Sequence, residues 1–422
     1  MCVSHHHDVV PHALFTSSIC TNEYGTHQTM KHLPSLSVSI LFLLNQAAAF
    51  AFLGSRVSCD TPRLRAVSRR DLLEHGSQAA SSWFLSSSVQ VDNESNLVAD
   101  LEMIRIRLPK EGFGREYLAI PLKVEGKGPY FFMIDTGLTT EIITPHLQQI
   151  LNIQQERGPE IRGFSAGGAS VNKLVELRGV TLDIDRPFQL PDNLHAVVTD
   201  FPQEHIDPAH DPIEGMIGME AISLYDVDFD FPRKRLRLFK PTTAAEFARK
   251  AGLVEIPAAV INETGLIGVR IKTPTSKQPI LGFLDSGAAF SVVNSAASPL
   301  LGIPSISGQH GPTVAGIGID GRPLPMPTFS TTLTFAGAVL KDPETGKPVG
   351  FEDPPNMKEF APVQLAVGDI PAFSTILGDG REPYKGPAAL IGLDILSQRR
   401  IILETAEPGN YSRQRRVWVS PQ

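Results

Sequence analysis

The chain has 422 residues, of which 42% are hydrophobic and 20% charged, so it is long enough for two domains with buried cores in addition to a leader. Its net charge of −7, spread without long runs of like charge, argues against a nucleic-acid binder held by phosphate contacts. The only cysteines are Cys2, Cys20 and Cys59, which excludes disulfides, a thiolate nucleophile and a cysteine-ligated zinc from the rest of the chain. The 35 glycines and 34 prolines favour a turn-rich β protein.

The amino-terminal region has the pattern of a targeting sequence. An apolar run at 36–44 precedes small residues at 47–49, which is typical of a secretory signal peptide and too short for a stable membrane span. Residues 50–95 are rich in serine and arginine, as in a disordered transit or linker segment. The junction at Ala49 and Phe50 resembles that of plastid presequences that pass through the endomembrane system. We therefore expect an extension and signal peptide at 1–49 and a plastid location, more narrowly the thylakoid lumen, with ordinary secretion as the alternative.

The rest of the chain contains an internal repeat at an offset of 150 residues. An apolar strand-like run ends in Asp-Thr-Gly at 135–137, and a second ends in Asp-Ser-Gly at 285–287. Farther on, each half has a glycine-rich turn and then an apolar-apolar-glycine unit that ends at Gly218 in one half and at Gly392 in the other. The chain therefore holds two copies of one β unit.

Periodicity and turn signals predict the elements around these motifs. The predicted elements, in chain order, are strands at 117–124, 227–231, 236–239, 266–272 and 400–403, hairpin tips at 163–168 and 316–321, a helical connector at 242–251, and insertions at 341–359 and 378–386. The resulting lobes are predicted at 96–240 and 254–422, with a connector at 241–253.

The two aspartates suggest acid–base chemistry. A carboxylate at the end of an apolar strand, followed by a small hydroxyl residue and glycine, sits in a buried turn, and two such turns can meet at a pseudo-twofold interface. When two carboxyl groups lie this near each other, they share one proton, so one acts as acid and the other as base. Such a pair activates a water toward a peptide carbonyl without a metal, a cofactor or a covalent intermediate.

With both motifs in register, residues 100–410 resemble the aspartic protease clan, closer to its retropepsin-like branch than to the disulfide-bearing pepsins. The resemblance implies an all-β, bilobal acid-protease fold with two pseudo-twofold-related lobes and short helices. It also implies roles for particular residues. These are catalysis by Asp135 and Asp285, support of the active-site loops by Thr136, Gly137, Ser286 and Gly287, and flap or substrate-binding positions at Gly163, Phe164, Ser165, Gly316, Ile317 and Gly318.

Three positions depart from the pepsin pattern. Leu138 and Ala288 follow the two triads where pepsins carry a hydroxyl, so we expect the carboxyl pair to titrate higher and to work nearer neutral pH. Leu138 is bulky, and it either narrows the site or marks an inactive lobe. Phe164 stands in place of the flap tyrosine and removes one hydrogen bond.

Three other motifs are weaker. Gly163-Phe-Ser-Ala-Gly at 163–167 matches the nucleophile elbow of serine hydrolases but has no strand before it and no helix after it. The glycine pattern at 316–321 matches a dinucleotide fingerprint, yet prolines follow where a helix must begin. The acids and histidines at 204–211 are interrupted by prolines and favour a solvated loop over a metal site.

The predicted function is an aspartic endopeptidase that cuts extended peptides bound as a strand beneath a flap. The predicted partner is a peptide or protein substrate. We expect no nucleic acid, no membrane span, no metal or other cofactor, and a monomer. The alternative is an inactive module of the same fold that binds peptides or proteins.

Overall fold

The computed structural model describes residues 96–106, 113–154, 161–165, 168–172, 174–182, 187–192, 194–200, 203, 211–261, 264–276, 278–303, 313–317, 323–378, 382–405 and 414–422. All of these belong to the unit Ser86–Gln422. The predicted leader at 1–95 lies outside the described residues, so the signal peptide, the transit segment and the plastid location stay predictions.

Strands dominate the structure, and they fall into two lobes. The first lobe consists of β1 (Leu97–Glu102), β2 (Ile104–Ile106), β3 (Tyr117–Val124), β4 (Lys127–Ile134), β5 (Glu141–Ile143), β6 (Ile161–Ser165), β7 (Gly168–Asn172), β8 (Leu174–Leu177), β9 (Thr181–Leu182), β10 (Phe188–Gln189), β11 (Leu194–Val198), β12 (Ile213–Ile217), β13 (Asp226–Asp230) and β14 (Arg235–Phe239). The second lobe consists of β15 (Val254–Val260), β16 (Ile267–Lys272), β17 (Ile280–Leu284), β18 (Val292–Val293), β19 (Thr313–Ile317), β20 (Pro323–Thr331), β21 (Thr334–Phe335), β22 (Val339–Lys341), β23 (Pro348–Phe351), β24 (Val363–Val367), β25 (Ala388–Ile391), β26 (Arg400–Glu404) and β27 (Gln414–Val419).

The helices are short. They are α1 (Pro145–Leu151), α2 (Met219–Ile222), α3 (Ala244–Lys250), α4 (Pro371–Ile376) and α5 (Leu393–Leu396), with 3₁₀ turns at Phe231–Arg233 and Ser298–Leu301. The α3 helix lies inside the predicted connector between the lobes, although the lobe boundaries themselves stay a prediction. Among the described residues, no helix is long and apolar enough to cross a membrane.

The two lobes repeat one strand topology. In the first lobe, β4 pairs antiparallel with β3 and parallel with β12; β12 pairs with β5, and β5 pairs parallel with β11, which pairs with β8. In the second lobe, β17 pairs with β16 and parallel with β25; β25 pairs with β18, and β18 pairs parallel with β24, which pairs with β20. The internal repeat of the sequence is therefore a repeat of structure, and the predicted all-β bilobal fold is confirmed.

A shared layer of six strands joins the lobes in the order β1-β14-β13-β26-β27-β15. At its centre, the Arg400 guanidinium donates to both carboxylate oxygens of buried Asp228, at 2.8 and 2.6 Å. Arg237 adds a second ion pair to Asp228 at 3.0 Å. Because a bidentate arginine–carboxylate pair has a fixed geometry, this contact fixes the orientation of β13 relative to β26.

Two apolar layers enclose β4. Phe132 and Ile134 point into the main core of the protein, while Met133 points to the opposite face, as the two-residue period of a strand requires. On that opposite face lies a smaller group of buried side chains, here called the outer cluster. The outer cluster consists of Ile106, Ala119, Met133, Ile142, Ile213 and Met216.

The structure decides two of the weaker motifs. Ser165 ends β6 and leads into β7, its antiparallel partner, so the strand–turn–helix that a nucleophile elbow requires is missing there. Pro323 begins β20 and pairs with Ile317, so the second glycine pattern lies in a hairpin and not before a helix. Of the residues at 204–211, only Asp211 is among those described, so that motif is not decided.

Candidate active site

Asp135 and Asp285 occupy equivalent places at the ends of two buried strands. Asp135 follows β4, and its amide donates to the carbonyl of Ile217 on neighbouring β12 at 2.9 Å. Asp285 follows β17, and its amide donates to the carbonyl of Ile391 on β25 at 3.0 Å. After each aspartate the backbone turns sharply, because the amide three residues later donates to the carbonyl of that aspartate. The turn keeps each carboxyl at the edge of the sheet, where it faces the other lobe.

The hydroxyls of Thr136 and Ser286 cross-link the two loops. The Thr136 hydroxyl donates to the carbonyl of Leu284 at 3.0 Å and accepts from the Ser286 amide at 3.0 Å. The Ser286 hydroxyl donates to the carbonyl of Ile134 at 2.7 Å and accepts from the Thr136 amide at 3.1 Å. Both residues are only 2% exposed, so these four bonds form away from water and fix one loop against the other.

The two carboxyl groups meet across this cross-link. The two carboxyl groups lie close enough to interact, and each also accepts from the amide two residues ahead, from Gly137 at 2.8 Å and from Gly287 at 3.0 Å. The α-carbon of each glycine lies against the aspartate of the opposite lobe, so that a β-carbon on either one would collide with that carboxyl group. Only glycine fits at these two positions while the carboxyls remain paired.

This environment favours one shared proton. Burial raises the pKa of Asp135 to about 6, against the opposing effect of its amide donors. Burial also raises the pKa of Asp285 well above its usual value, and the negative charge of Asp135 raises it further. Two negative charges this close repel each other, so the second carboxyl loses its proton only at a higher pH than the first. Between these two titration steps the pair has one neutral and one charged member.

The first lobe matches a known family. Residues 120–221 match the family model described as aspartyl protease. Comparison with the curated proteins finds no match. A solved structure similar to the chain is the crystal structure of basic 7S globulin from soybean, with 9% sequence identity and a TM-score of 0.39 over 76% of this chain and 95% of that one.

Two further glycines support the two aspartate loops. Gly218 follows β12, and a β-carbon there would lie 2.9 Å from the carbonyl oxygen of Leu138. Gly392 follows β25, and a β-carbon there would lie 2.6 Å from the carbonyl oxygen of Phe290. The helices α2 and α5 begin directly after these glycines. A helix therefore packs beneath each aspartate loop at a distance that only glycine allows.

The bulky Leu138 packs on its own lobe. Its side chain contacts the outer cluster, on the face of β4 that carries Met133. Ala288, its counterpart, contacts the main core. The structure thus gives Leu138 a packing role in the first lobe.

Both predicted hairpins are present, and they lie in different lobes. In β6, Gly163, Phe164 and Ser165 pair with Ser170, Ala169 and Gly168 of β7. The β6 strand lies against α4 of the second lobe, so the first hairpin reaches across between the lobes. In β19, Gly316 and Ile317 pair with Leu324 and Pro323 of β20, and a β-carbon on Gly316 would lie 3.7 Å from the Phe290 ring. The predicted flap residue Gly318 lies outside the described residues.

A segment before β3 also reaches the second aspartate loop, and the sequence analysis missed it. The Arg115 amide donates to the carbonyl of Ala289 at 2.8 Å, and the Phe113 and Phe290 rings meet edge to face at 5.2 Å between centroids. Gly114 has φ +94° and a β-carbon there would collide with the Ala289 carbonyl. The glycine before Arg115 was the only signal in the sequence.

The sixth residue after each aspartate is buried and polar, which the sequence analysis also missed. Glu141 accepts from the Ala221 amide at 3.0 Å in the first lobe. Ser291 donates to Asp394 at 2.5 Å and accepts from the Gly392 amide at 2.9 Å in the second. A polar residue directly before two apolar residues, at the same register of both repeats, was the available signal.

Proposed function

We propose that the protein is an aspartic endopeptidase in which Asp135 and Asp285 activate a water molecule for attack on a peptide bond. The observation that carries the proposal is the paired carboxyl groups, one from each lobe, on loops cross-linked by Thr136 and Ser286. In the part of the chain that the structure describes, no basic side chain forms an ion pair with either carboxyl. The pair is therefore available to accept and donate protons.

The chemistry follows from one shared proton. The charged carboxylate takes a proton from a water bound between the two groups while the water oxygen bonds to the peptide carbonyl carbon. The neutral carboxyl donates its proton to the carbonyl oxygen, which gives a tetrahedral diol. The carboxyl that took the proton from water then donates it to the amide nitrogen, and the other carboxylate takes a proton from a diol hydroxyl as the C–N bond breaks. The two peptides are released and the pair again holds one proton.

The pH range of this reaction follows from the two pKa shifts. At low pH both carboxyls are protonated, and the reaction stops because no base remains. Burial raises the pKa of Asp135 to about 6, so we expect activity to fall as the pH drops below about 6. The high pKa of Asp285 preserves the acid toward neutral pH. We therefore expect activity from weakly acidic to neutral pH.

The two hairpins favour an extended peptide as the substrate. The hairpin of the second lobe lies near the Asp285 loop, because Gly316 of β19 approaches the Phe290 ring. The β6 strand of the first hairpin lies against α4 of the opposite lobe. A peptide in an extended conformation can form main-chain hydrogen bonds with such strands along its length, while its side chains point alternately to each lobe.

The test is cleavage of a mixed peptide library by the full chain from pH 4 to 8, with products identified by mass spectrometry. Asp135→Asn and Asp285→Asn should each lose turnover, and a statine-type transition-state mimic should block the wild type. Asp211→Asn, which changes an exposed aspartate, is the matched control and should cleave like the wild type.

Two outcomes would contradict the proposal. Turnover that survives in either Asp135→Asn or Asp285→Asn would assign the chemistry to other residues. No turnover at any pH from a folded chain would favour the peptide-binding module of the same fold.

A further inference from the structure

Glu141 lies beneath the first active-site loop and is 0% exposed. One of its carboxyl oxygens, Oε1, accepts from the Ala221 amide of α2 at 3.0 Å. The same short helix holds the loop directly, because the Met219 amide donates to the carbonyl of Leu138 at 2.8 Å and the Glu220 amide to that of Thr139 at 3.1 Å. Glu141 therefore takes part in the contact that joins the Asp135 loop to its supporting helix.

The other oxygen of Glu141 faces a second carboxyl. No hydrogen-bond donor among the described residues reaches Oε2, and the neighbouring group is the carboxyl of Glu220. Glu220 in turn pairs with Nδ1 of His195 at 3.0 Å. Two acceptors that face each other in a buried contact repel unless one carries a proton.

The second lobe shows what the equivalent position does. Ser291, six residues after its aspartate as Glu141 is, uses a hydroxyl to donate to the carboxyl of Asp394 at 2.5 Å. Asp394 and Glu220 occupy matching places, two residues after Gly392 and Gly218. In both lobes a residue on the loop side thus meets a carboxyl on the helix side, and the second lobe supplies an O–H donor for that contact.

We propose that Glu141 is a positioning residue that works as a neutral carboxylic acid, donating a hydrogen bond to Glu220 and so holding the Asp135 loop on α2. The electrostatics agree, since burial raises the pKa of Glu141 to about 8 and the charge of Glu220 contributes to the rise. The proton on Glu141 is set by its buried contact with Glu220 and does not depend on whether the protein is an enzyme. The effect of this proton on turnover rests on the proposed peptidase function.

The other charged groups of the surrounding elements have partners of their own. On β11, His195 binds Glu220 and lies opposite Glu176 of β8, while Glu214 of β12 binds Thr144 and His146. Glu220 is therefore the charged group that faces Glu141 directly.

The first test compares the unfolding midpoints of the full chain and its Glu141→Gln variant from pH 4 to 9. Glutamine retains an acceptor for Ala221 and a permanent N–H donor for Glu220. A carboxyl whose pKa is raised on folding binds its proton more tightly in the folded state, so its contribution to stability falls as pH rises from about 4.5 to about 8 and then stays constant. The variant should therefore gain several degrees over the wild type across that interval, with no further gain above it.

Two controls sharpen this test. Glu344→Gln, which changes an exposed glutamate, should track the wild type at every pH. Glu220→Gln removes the opposing charge, so the interval should end at a lower pH than 8. A difference between Glu141→Gln and the wild type that does not change with pH would overturn the proposal.

A direct measurement covers the case in which Glu141→Gln fails to fold. In the wild type labelled with ¹³C at glutamate carboxyls, one buried carboxyl should have the shift of a neutral acid at pH 7. An ionised shift for every glutamate at pH 7 would overturn the proposal.

The activity arm uses a pair of variants. Glu141→Leu removes the donor and should lower kcat at least tenfold with little change in KM, and Glu141→Gln should recover most of that loss. Equal kcat values for the two variants would contradict a positioning role. If the wild type itself shows no turnover, the peptidase proposal fails, and the midpoint and ¹³C measurements still decide the state of Glu141.

Discussion

The aspartate loops of the two lobes share a backbone and differ in the side chains beneath it. Both loops turn at Asp-Thr/Ser-Gly, exchange the same hydroxyl bonds and rest on a helix that follows a glycine. At the third position the first lobe has Leu138 and the second Ala288, and at the sixth position Glu141 replaces Ser291. The parts that shape the carboxyl pair are thus symmetric, while the parts that attach each loop to its lobe have diverged.

The largest effect should come from the symmetric glycines. Gly287→Ala places a methyl on the Asp135 carboxyl, and Gly137→Ala does the same to Asp285, so each should displace one member of the pair. Because small misplacement of reacting groups is costly, we expect turnover to fall by at least about a hundredfold in both. Gly350→Ala, whose nearest neighbour would be Leu340 at 3.9 Å, is the control. A normal rate in only one of the two variants would break the symmetry.

The cross-linking hydroxyls should have the next largest effect, on stability. Thr136→Val and Ser286→Ala each leave one buried amide and one buried carbonyl without a partner, which costs about 2–4 kcal/mol of unfolding free energy. Thr136→Ser retains a hydroxyl and should recover most of the loss. Urea denaturation measures all three, and an unchanged midpoint in Thr136→Val would show that the cross-link contributes little.

Asp394 tests how the second lobe depends on pH. Burial raises the pKa of Asp394 from 3.8 to about 6. The folded state therefore binds this proton more tightly, and the stabilisation is lost as the pH rises from about 4 to about 6 and does not change further above pH 6. Asp394→Asn should remove up to about 3 kcal/mol of that pH dependence, measured as unfolding free energy from pH 4 to 8. This interval begins and ends at a lower pH than the one expected for Glu141, which runs from about 4.5 to about 8. Intervals that coincide would show that the two contacts titrate as one unit.

Leu138 should have the smallest effect. Because its side chain packs on the outer cluster, Leu138→Ala should cost about 1–2 kcal/mol of unfolding free energy and leave turnover within about threefold of the wild type. A large gain in turnover would mean that Leu138 restricts the carboxyl pair after all. Thermal unfolding and steady-state kinetics on the same preparation separate the two results.

The sequence predicted those features of the fold and the site that depend on a local residue pattern. The alternation at 117–124 matches β3, and the two Asp-Thr/Ser-Gly triads lie at strand ends as their apolar approaches indicate. Local pattern cannot show which distant groups meet. The Glu141 contact joins residues 80 positions apart, and the segment at Arg115 reaches Ala289 of the other lobe. Nor does the sequence indicate to which face Leu138 turns, because a leucine fits a cleft or a core equally well.

The most direct test of the shared proton is a ¹³C titration of the aspartate carboxyls in the wild type and in Asp135→Asn. The charge and hydrogen bond of Asp135 raise the pKa of Asp285, so removing them should move the Asp285 titration to lower pH, while burial still holds it above the usual value. An Asp285 titration that is the same in both proteins would contradict the account, because the two carboxyls would then not share a proton.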